Sequence, residues 1–576
     1  MVVSFDTFGQ LDTPALILCN PGCAYVNNNT TLAVGELPSV SDFEATYNFN
    51  TMSELRFRVH GTAFQDNDRD QYIREMFDMV LVNRYIFIPA IGYFVITAAD
   101  RTSERGDLYR DVTAKSAEIE LERRGVPYIQ DGTYKLRKAD VSEPDGLLDI
   151  LQANLTGWTI DHIDNSLKTM YRTFNDVSVK LNIYEFLTKN VQDAYECIVL
   201  FDVLNRTINF YAKAEYIVQT DIHLTERDWV NRIVIQEDSE SIYTALNTIT
   251  TEKISSSFDD TITIAAVNPT GSNIMYDFSL YYSWMSPSLS TKVQEWQADI
   301  DAVAATFYSA ASSYYDYLED KMNAVADKQK HQIYVDTYDQ CITNIDAAQG
   351  NSDQVVLVAA SANETLNATG GTPVSIADTI ANTRAGVVAL KSAAQQAVDD
   401  AQAAITAAET NMAPYQTAME TVVGRLAPSA YFTADERKEL SYYIYEGTYD
   451  DPYVAATETM TTQERIALMR ILYMRTQRKL ATIASASKKL QVETESFIFI
   501  EKFADWSQQL VTGCLINVEV APDVIEQLFL SSINVNYEEK SSSLTFGNKL
   551  ERHDAKSMFD DVLDNISRTA NSSMLS

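Results

Sequence analysis

The segment DNDRDQYIREMF, residues 66–77, has the acidic spacing of a calcium-binding loop. The aspartates at its first three ligand positions are Asp66, Asp68 and Asp70. The later positions do not fit, because Gln71 stands where the loop needs glycine for a sharp turn and Phe77 stands where a bidentate glutamate would complete the coordination. The sequence therefore predicts a solvated acidic loop here and no metal site.

The histidines fall in no catalytic or metal-binding spacing. They are His60, His162, His223, His331 and His553. His162, in the sequence DHIDN, lies between Asp161 and Asp164, and such a neighbourhood would suit a general acid or base. Ordinary burial statistics favour a solvated or hydrogen-bonded turn instead. We predict no catalytic histidine.

The five cysteines form neither a disulfide framework nor paired zinc-binding motifs. They are Cys19, Cys23, Cys197, Cys341 and Cys514. In CNPGC, Cys19 and Cys23 are interpreted as two small apolar residues beside a turn, and reduced thiols are expected. Nucleophile-elbow, phosphate-loop and dinucleotide-binding motifs are not found. Glycoside hydrolysis needs a pair of carboxylates, but with 80 acidic residues many pairs can be formed, so the sequence identifies none of them. We predict no catalytic, cofactor or metal residues and no enzyme.

The composition indicates a large, ordered and strongly acidic protein. With 576 residues the chain is expected to form three or four domains, and 46% hydrophobic residues suit several cores. The formal charge of −35 repels nucleic acid, so DNA binding is not expected, although an acidic wall would let a duplex pass without sticking. The start of the sequence has no secretory pattern, and the apolar window 79–99 is divided by Pro89 and Gly92. We predict a hairpin there and no membrane span.

Up to about residue 285 the pattern is mainly that of strands, with short helices such as the one beginning near Ile183. The stretch YECIVLFDVLNRTINFY, residues 195–211, predicts a hairpin with strands at 197–201 and 207–211. Strands return after Gly513, and a helical tail is expected after Asp554. The sequence thus predicts an α+β protein in which helices are inserted into a β-rich body.

Helical spacing continues from about Leu289 to Gln509, with bends expected at 350–352 and 370–373. Capping boxes, each with a threonine followed three residues later by a glutamate, start helices at Thr433 and Thr461. Three apolar residues of the alanine-rich part fall seven apart. They are Val398, Ile405 and Met412. This seam suits either a coiled coil or one helix of a self-contained bundle.

These patterns divide the chain into five regions. A first β-rich domain covers 1–125, an α+β domain 126–235, a second β-barrel segment 236–287, a helical insertion or coiled coil 288–509, and returning strands with a terminal helix 510–576.

The hairpin and its neighbours resemble a known family. Phe201-Asp202, the turn Asn205-Arg206 and the strand from Thr207 to Tyr211 are similar to a hairpin of phage tail-tip hub proteins, the minor structural proteins or hub regions of tail-associated lysins. Further similar segments follow in the family's order, over roughly 1–285, 437–475 and 510–550. They include NFNTMSELRFRV (48–59), RTFNDVSVKLNIYEFL (172–187), YDFSLYYSW (276–284), RKELSYYIYEGTYDDPYV (437–454) and LFLSSINVNYEEKSSSLTFGN (528–548).

The resemblance implies a multidomain baseplate hub with small β-barrels, assembled as a homotrimer at the virion's tail tip and made in the host bacterial cytoplasm. Such hubs close the tail tube, contact distal tail, tail tube and tape-measure proteins, in some cases fibre or receptor-binding proteins, and open for passage of DNA. The inserted helices would then form a trimeric bundle with the alanine-rich seam at the threefold axis. Alternative functions are a tail-associated cell-wall hydrolase, although no hydrolase module is recognised, and a receptor-binding tail protein.

Overall fold

A computed structural model gives the structure of residues 13–26, 29–62, 67–104, 106–130, 132–138, 146–152, 154–155, 157–174, 181–213, 215–225, 230–238, 242–255, 258–368, 376–454, 460–484, 487–494, 508–521 and 524–547. The chain divides into two compact units. The sheet unit comprises Met1–Ile242 and Ser485–Ser576, and the helical unit comprises Tyr243–Ala484. The finer division into five regions remains a prediction, and the helical tail expected after Asp554 lies outside the described residues.

The described strands, in chain order, are β1 Ile17–Val26, β2 Asn29–Glu36, β3 Val40–Asn48, β4 Glu54–Gly61, β5 Tyr85–Ile88, β6 Gly92–Glu104, β7 Asp107–Ser116, β8 Gly132–Lys135, β9 Thr159–Ile163, β10 Tyr171–Phe174, β11 Cys197–Asp202, β12 Thr207–Ala212, β13 Val218–Leu224, β14 Val230–Asp238, β15 Ala245–Ser255, β16 Phe258–Thr263, β17 Ile274–Tyr276, β18 Glu446–Asp450, β19 Ser487–Thr494, β20 Cys514–Ala521, β21 Val524–Asn536 and β22 Ser541–Gly547.

The described α-helices are α1 Asp68–Met79, α2 Ile119–Glu122, α3 Leu147–Gln152, α4 Asn165–Lys168, α5 Ile183–Glu185, α6 Gln192–Tyr195, α7 Pro287–Ala368, α8 Ile376–Leu426, α9 Pro428–Tyr431, α10 Ala434–Leu440 and α11 Thr462–Ile483. A π-helical turn, Phe186–Val191, joins α5 to α6, and 3₁₀ turns lie at Ser279–Tyr281 and Ser441–Tyr443. None of the helices described is both long enough and apolar enough to cross a membrane.

A large, mainly antiparallel sheet dominates the sheet unit. Its strands run in the order β14-β19-β22-β21-β3-β4-β7-β6-β5-β1-β2, and β20 pairs with both β21 and β13. The strands that follow the helical unit therefore pair with those that precede it, since Ser532 of β21 is opposite Asn48 of β3. This pairing confirms the α+β class and the insertion of helices into a β-rich body.

The small β-barrels implied by the resemblance are not found among the described strands, which close no barrel. The physical reason is the β3–β21 pairing, which joins the early and returning strands into one continuous sheet. Successive side chains of each strand point to opposite faces of this sheet, and one face is buried. In β22, for example, Leu544 and Phe546 are buried and their neighbours are less buried.

The predicted hairpins are confirmed. β11 and β12 pair antiparallel from Cys197 opposite Ala212 to Asp202 opposite Thr207, and β9 adds a parallel strand beside β12. The apolar window forms the β5–β6 hairpin. The helix predicted near Ile183 is also present, as α5, the π-helical turn and α6.

The helical unit is built on α7, of 82 residues, and α8, of 51 residues. Ion pairs join α7 to α8 with N–O distances of 2.5–2.8 Å. They are Lys321–Glu409, Asp339–Lys391 and Asp346–Arg384. The residue number falls along α8 as it rises along α7, so the two helices form an antiparallel hairpin.

One predicted bend in this region is wrong, because Gly350 lies within α7. The bend predicted at 370–373 lies outside the described residues. The predicted helical region 288–509 also contains strands β18 and β19. Glycine is tolerated inside a helix at a cost of about 1 kcal/mol, which a helix this long can absorb. Both capping boxes are confirmed: the hydroxyl oxygens of Thr433 and Thr461 accept from the backbone N–H of the third helical residue, and that residue's glutamate returns the bond.

The seam of Val398, Ile405 and Met412 is buried, with exposed fractions of 5–8% in the isolated chain. Val398 clusters with Val335 of α7, so the seam packs inside the helical hairpin. The prediction of this seam at a threefold axis is therefore wrong, because the chain's own α7 already covers it. Packing against α7 fits both a coiled coil within the chain and a self-contained bundle, so these two alternatives stay open.

Candidate interaction surface

The residues singled out for chemistry have structural roles. His162 lies in β9 instead of in a turn, and it is hydrogen-bonded as expected: Nε2 is 2.8 Å from Asp164 Oδ1, and the ring stacks on Tyr211 at 4.8 Å. The other oxygen of Asp164 accepts from the backbone N–H of Ala212 at 2.7 Å. This arrangement joins β9 to the end of β12.

The acidic segment is helical where it is described. Asp68 and Asp70 lie in the first turn of α1, where the Asn67 side chain accepts from the Asp70 N–H at 3.0 Å, so the predicted loop is wrong there. Asp66 lies outside the described residues. Within the ranges described, no group of three or more histidine, cysteine, aspartate or glutamate side chains is arranged to hold a metal ion.

The described cysteines are structural where they are buried. Cys19 lies in β1, Cys197 in β11 and Cys514 in β20. Burial raises the pKa of the Cys197 and Cys514 thiols, which disfavours the reactive thiolate. Cys341 is exposed on α7, and the side chain of Cys23 lies outside the described residues.

Polar contacts hold the β11–β12 turn in place. Asp202 Oδ1 accepts from the N–H groups of Leu204 and Asn205, both at 2.9 Å. The turn ends at Arg206, whose φ is +55° and whose Nη2 lies 3.1 Å from Glu120 Oε1. The side chains of Arg206 and Glu120 are only 15% and 10% exposed.

The carboxylate of Glu120 contacts donor groups from three separate segments. Besides Arg206, its carboxylate accepts from Tyr85 Oη at 2.8 Å and from Trp158 Nε1 at 3.3 Å. Burial, and next the charge of Glu120, raise the pKa of Tyr85 to about 12. The hairpin turn also packs on Gly92, where an added Cβ would lie 2.5 Å from Val203. The hairpin is therefore fixed to the body of the sheet unit.

The helical unit exposes large apolar side chains in two neighbouring segments. We call Trp284, Tyr442, Ile444 and Tyr445 the aromatic surface; their exposed fractions are 69%, 68%, 36% and 49%. Tyr281, only 7% exposed, supports it: its ring centroid lies 5.2 Å from Trp284 and 5.8 Å from Tyr445. Burial, and next the electrostatic interaction with the hydroxyl group of Tyr445, raise the pKa of Tyr281, so its hydroxyl stays neutral.

Hydrogen bonds hold the two segments together. Ser286 donates through N and Oγ to the carboxylate of Glu439, at 2.8 and 2.9 Å, just before α7 and at the end of α10. Tyr443 Oη donates to the carbonyl of Trp284 at 2.9 Å. Since α10 is started by the Thr433 capping box, its position and that of the following 3₁₀ turn are well determined.

Thr244, from a third segment, holds the backbone on both sides of Ile444 in place. Thr244 Oγ1 donates to the carbonyl of Tyr443 at 2.6 Å and accepts from the N–H of Tyr445 at 2.9 Å. With its backbone tied on both sides, Ile444 presents its side chain outward. The aromatic surface is thus a preorganised patch, which lowers the entropic cost of binding a partner.

Both segments belong to the motifs of the family resemblance, but the sequence alone predicted no role for them. The signal was their aromatic density, YYSW at 281–284 and YYIY at 442–445. Exposed tryptophan and tyrosine are the residues most enriched in protein interfaces, so this surface is suited to contact another protein. It holds no arrangement that we assign to bond-breaking chemistry or to a cofactor.

Comparisons with known proteins gave distant similarities. No family model matches the chain. It is 23% identical over 259 residues to the SPbeta prophage-derived uncharacterized protein YomG of Bacillus subtilis strain 168, over 43% of this chain and 26% of that protein.

Two solved structures align along most of the chain. The prophage tail protein gp18 of Listeria monocytogenes EGD-e aligns with 10% identity and a TM-score of 0.43, covering 96% of this chain and 99% of that one. The 43 kDa tail protein of prophage MuSo2 from Shewanella oneidensis aligns with 6% identity and a TM-score of 0.39, covering 92% and 97%. TM-scores below 0.5 do not establish a shared fold. The chain is thus similar, over less than half of its length, to a prophage-derived protein.

Proposed function

We propose that this protein is a structural component of a phage tail, acting as a homotrimeric hub at the tail tip. In this role it closes the tail tube, contacts the distal tail and tape-measure proteins and opens for passage of DNA. The observation that carries the proposal is the ordered series of motifs, from NFNTMSELRFRV at 48–59 to the closing strands at 528–548. Similarity to a prophage-derived protein supports the phage origin.

The aromatic surface supports a role in assembly. A patch that includes a tryptophan and two tyrosines, fixed by hydrogen bonds and exposed in the isolated chain, is suited to a stable protein contact. We assign it to a contact with a different tail protein, so that loss of this contact can be tested separately from the oligomeric state. Contacts that form the trimer would then lie elsewhere.

Measurement of the mass of the purified full chain tests the oligomer. A particle of about three times 64.6 kDa, with a threefold ring in images of the same sample, is the expected result. Because like charges oppose assembly, trimer formation should strengthen as salt is raised from low to physiological concentration. A monomer at all salt concentrations that also digests purified cell wall would contradict the hub and favour the hydrolase alternative.

A double substitution tests the aromatic surface. W284A with Y442A should reduce incorporation of the protein into tails at least tenfold while leaving its own oligomeric state unchanged, because both side chains are about 70% exposed. The matched control is I333A, which removes an exposed apolar side chain, 63% exposed, from α7. Equal incorporation of the two variants would show that the aromatic surface makes no such contact.

A further inference from the structure

The helical unit contains a cavity of about 410 Å³ whose chemistry the proposed function does not use. Its walls come from three places: the segment that contains β17, the first turns of α7, and one face of α11. The α11 residues on this face are Tyr473, Gln477, Leu480 and Ala481. A cavity of this volume is in the usual range for a small-molecule site.

Some polar groups of the lining already have partners. Asn268 Nδ2 donates to the carbonyl of Ser272 at 2.7 Å, and its Oδ1 accepts from the Thr270 N–H at 3.1 Å. Gln297 Nε2 donates to the carbonyl of Tyr276 at 3.2 Å, and its Oε1 accepts from Tyr282 Oη. These two amides hold the walls in place and have little capacity left for a ligand.

Carboxylates supply the charge. Asp277 and Asp301 line the cavity, and both act on the nearby Tyr282, whose pKa is raised by burial first and by their charges next. Burial also raises the pKa of Asp301. The lining includes no lysine or arginine, although Arg470 packs on the ring of Tyr473 at 5.3 Å from outside it.

Most of the remaining walls are aromatic or aliphatic, and Gln477 of α11 adds one amide. Tyr276, Tyr282 and Tyr473 offer rings, and Ile274, Leu480 and Ala481 offer aliphatic surface. Aromatic rings attract cations through their negative faces, and carboxylates attract the same charge. Polar, aromatic and aliphatic walls together match a cation that has N–H donors and a short carbon chain.

We propose that this cavity binds a primary alkylammonium group, with Asp301 and Asp277 as its counter-charge. The group can belong to a free diamine or to a lysine side chain of a partner protein. In both cases the carbon chain lies against the tyrosine rings and the aliphatic wall.

The test is titration calorimetry of the full chain with 1,4-diaminobutane at physiological salt. We expect saturable binding of one molecule, and no binding of 1,4-butanediol, which has the same length but no charge. D301N should weaken binding at least tenfold. The matched control is E295Q, which removes one charge from an exposed position of α7 outside the cavity and should change affinity less than twofold.

The melting temperatures of both variants provide the control for folding. Binding that does not saturate, or equal losses in D301N and E295Q, would overturn the proposal, because either result indicates general attraction to an acidic protein. Titration with Nα-acetyl-lysine amide distinguishes the two sources of the ammonium group. If it binds more tightly than the diamine, the ligand is a lysine side chain of a partner protein; if it binds more weakly, the ligand is a free amine.

Discussion

Removing the positive charge of Arg206 should destabilise the β11–β12 hairpin. The substitution Arg206→Met keeps an unbranched side chain at the backbone position with φ of +55°, so the backbone strain is unchanged. It leaves the buried carboxylate of Glu120 with Tyr85 and Trp158 as donors but without a counter-charge. The effect therefore reports the charge and not the turn geometry.

Removal of one partner from a buried ion pair costs about 3–5 kcal/mol. Arg206 and Glu120 keep 15% and 10% of their side chains exposed, so we expect the lower end, about 3 kcal/mol. About 1.4 kcal/mol corresponds to a factor of ten in the equilibrium constant for opening of the hairpin. This loss therefore corresponds to roughly a hundredfold faster hydrogen exchange. Combining R206M with E120Q should recover part of it, because no buried charge then remains unpaired.

The assay is native-state hydrogen exchange of peptides that cover residues 197–212, which reports this hairpin alone and needs no two-state unfolding of the whole chain. R58M is the control, because Arg58 pairs with Asp42 and Asp111 at the surface, where an ion pair contributes little. An acceleration of exchange below threefold in R206M, or a further acceleration when E120Q is added to R206M, would show that the Arg206–Glu120 pair does not stabilise the hairpin.

Three further predictions concern stability. Burial raises the pKa of Glu118 from 4.5 to about 7, so the folded state retains a proton that the unfolded state releases. The free energy of unfolding should therefore fall by about 3 kcal/mol as the pH rises from 4.5 to 7. The variant E118Q should abolish this pH dependence, measured by denaturant titrations at several pH values. I405A should destabilise the helical hairpin by about 2 kcal/mol or more, measured by exchange in α8, whereas I333A at an exposed position should not. T433A should cost about 1 kcal/mol and accelerate exchange at 434–445, and an unchanged rate would show that the capping box is not needed there.

Local patterns were sufficient for much of the fold. Alternation and turn residues predicted the β5–β6 and β11–β12 hairpins, and the heptad spacing of Val398, Ile405 and Met412 predicted a buried seam. Which surface covers that seam could not be read from spacing, because an intrachain helix and a neighbouring subunit bury the same residues. The β3–β21 pairing connects residues far apart in sequence, and it decides between one open sheet and separate barrels.

The candidate site was less predictable. Motif searches look for histidine, cysteine and carboxylate spacing, whereas the aromatic surface depends on Tyr281 lying below Trp284 and Tyr445 from another part of the chain. The cavity likewise assembles Thr270, Asp301 and Tyr473, and their convergence follows from packing of α11 beside α7. Arg206 was recognised as a turn residue, but its buried partner Glu120 was not.

The antiparallel α7–α8 hairpin restricts how its length can change during evolution. Lys321 faces Glu409 and Asp346 faces Arg384, so an insertion in one helix would move every charged pair beyond it out of register. Deletions or insertions should therefore occur in both helices together, at facing positions and in steps of about seven residues that keep the buried seam aligned. Related chains are expected to differ in the length of this hairpin by matched amounts while the α10 segment and the aromatic surface at its base stay constant.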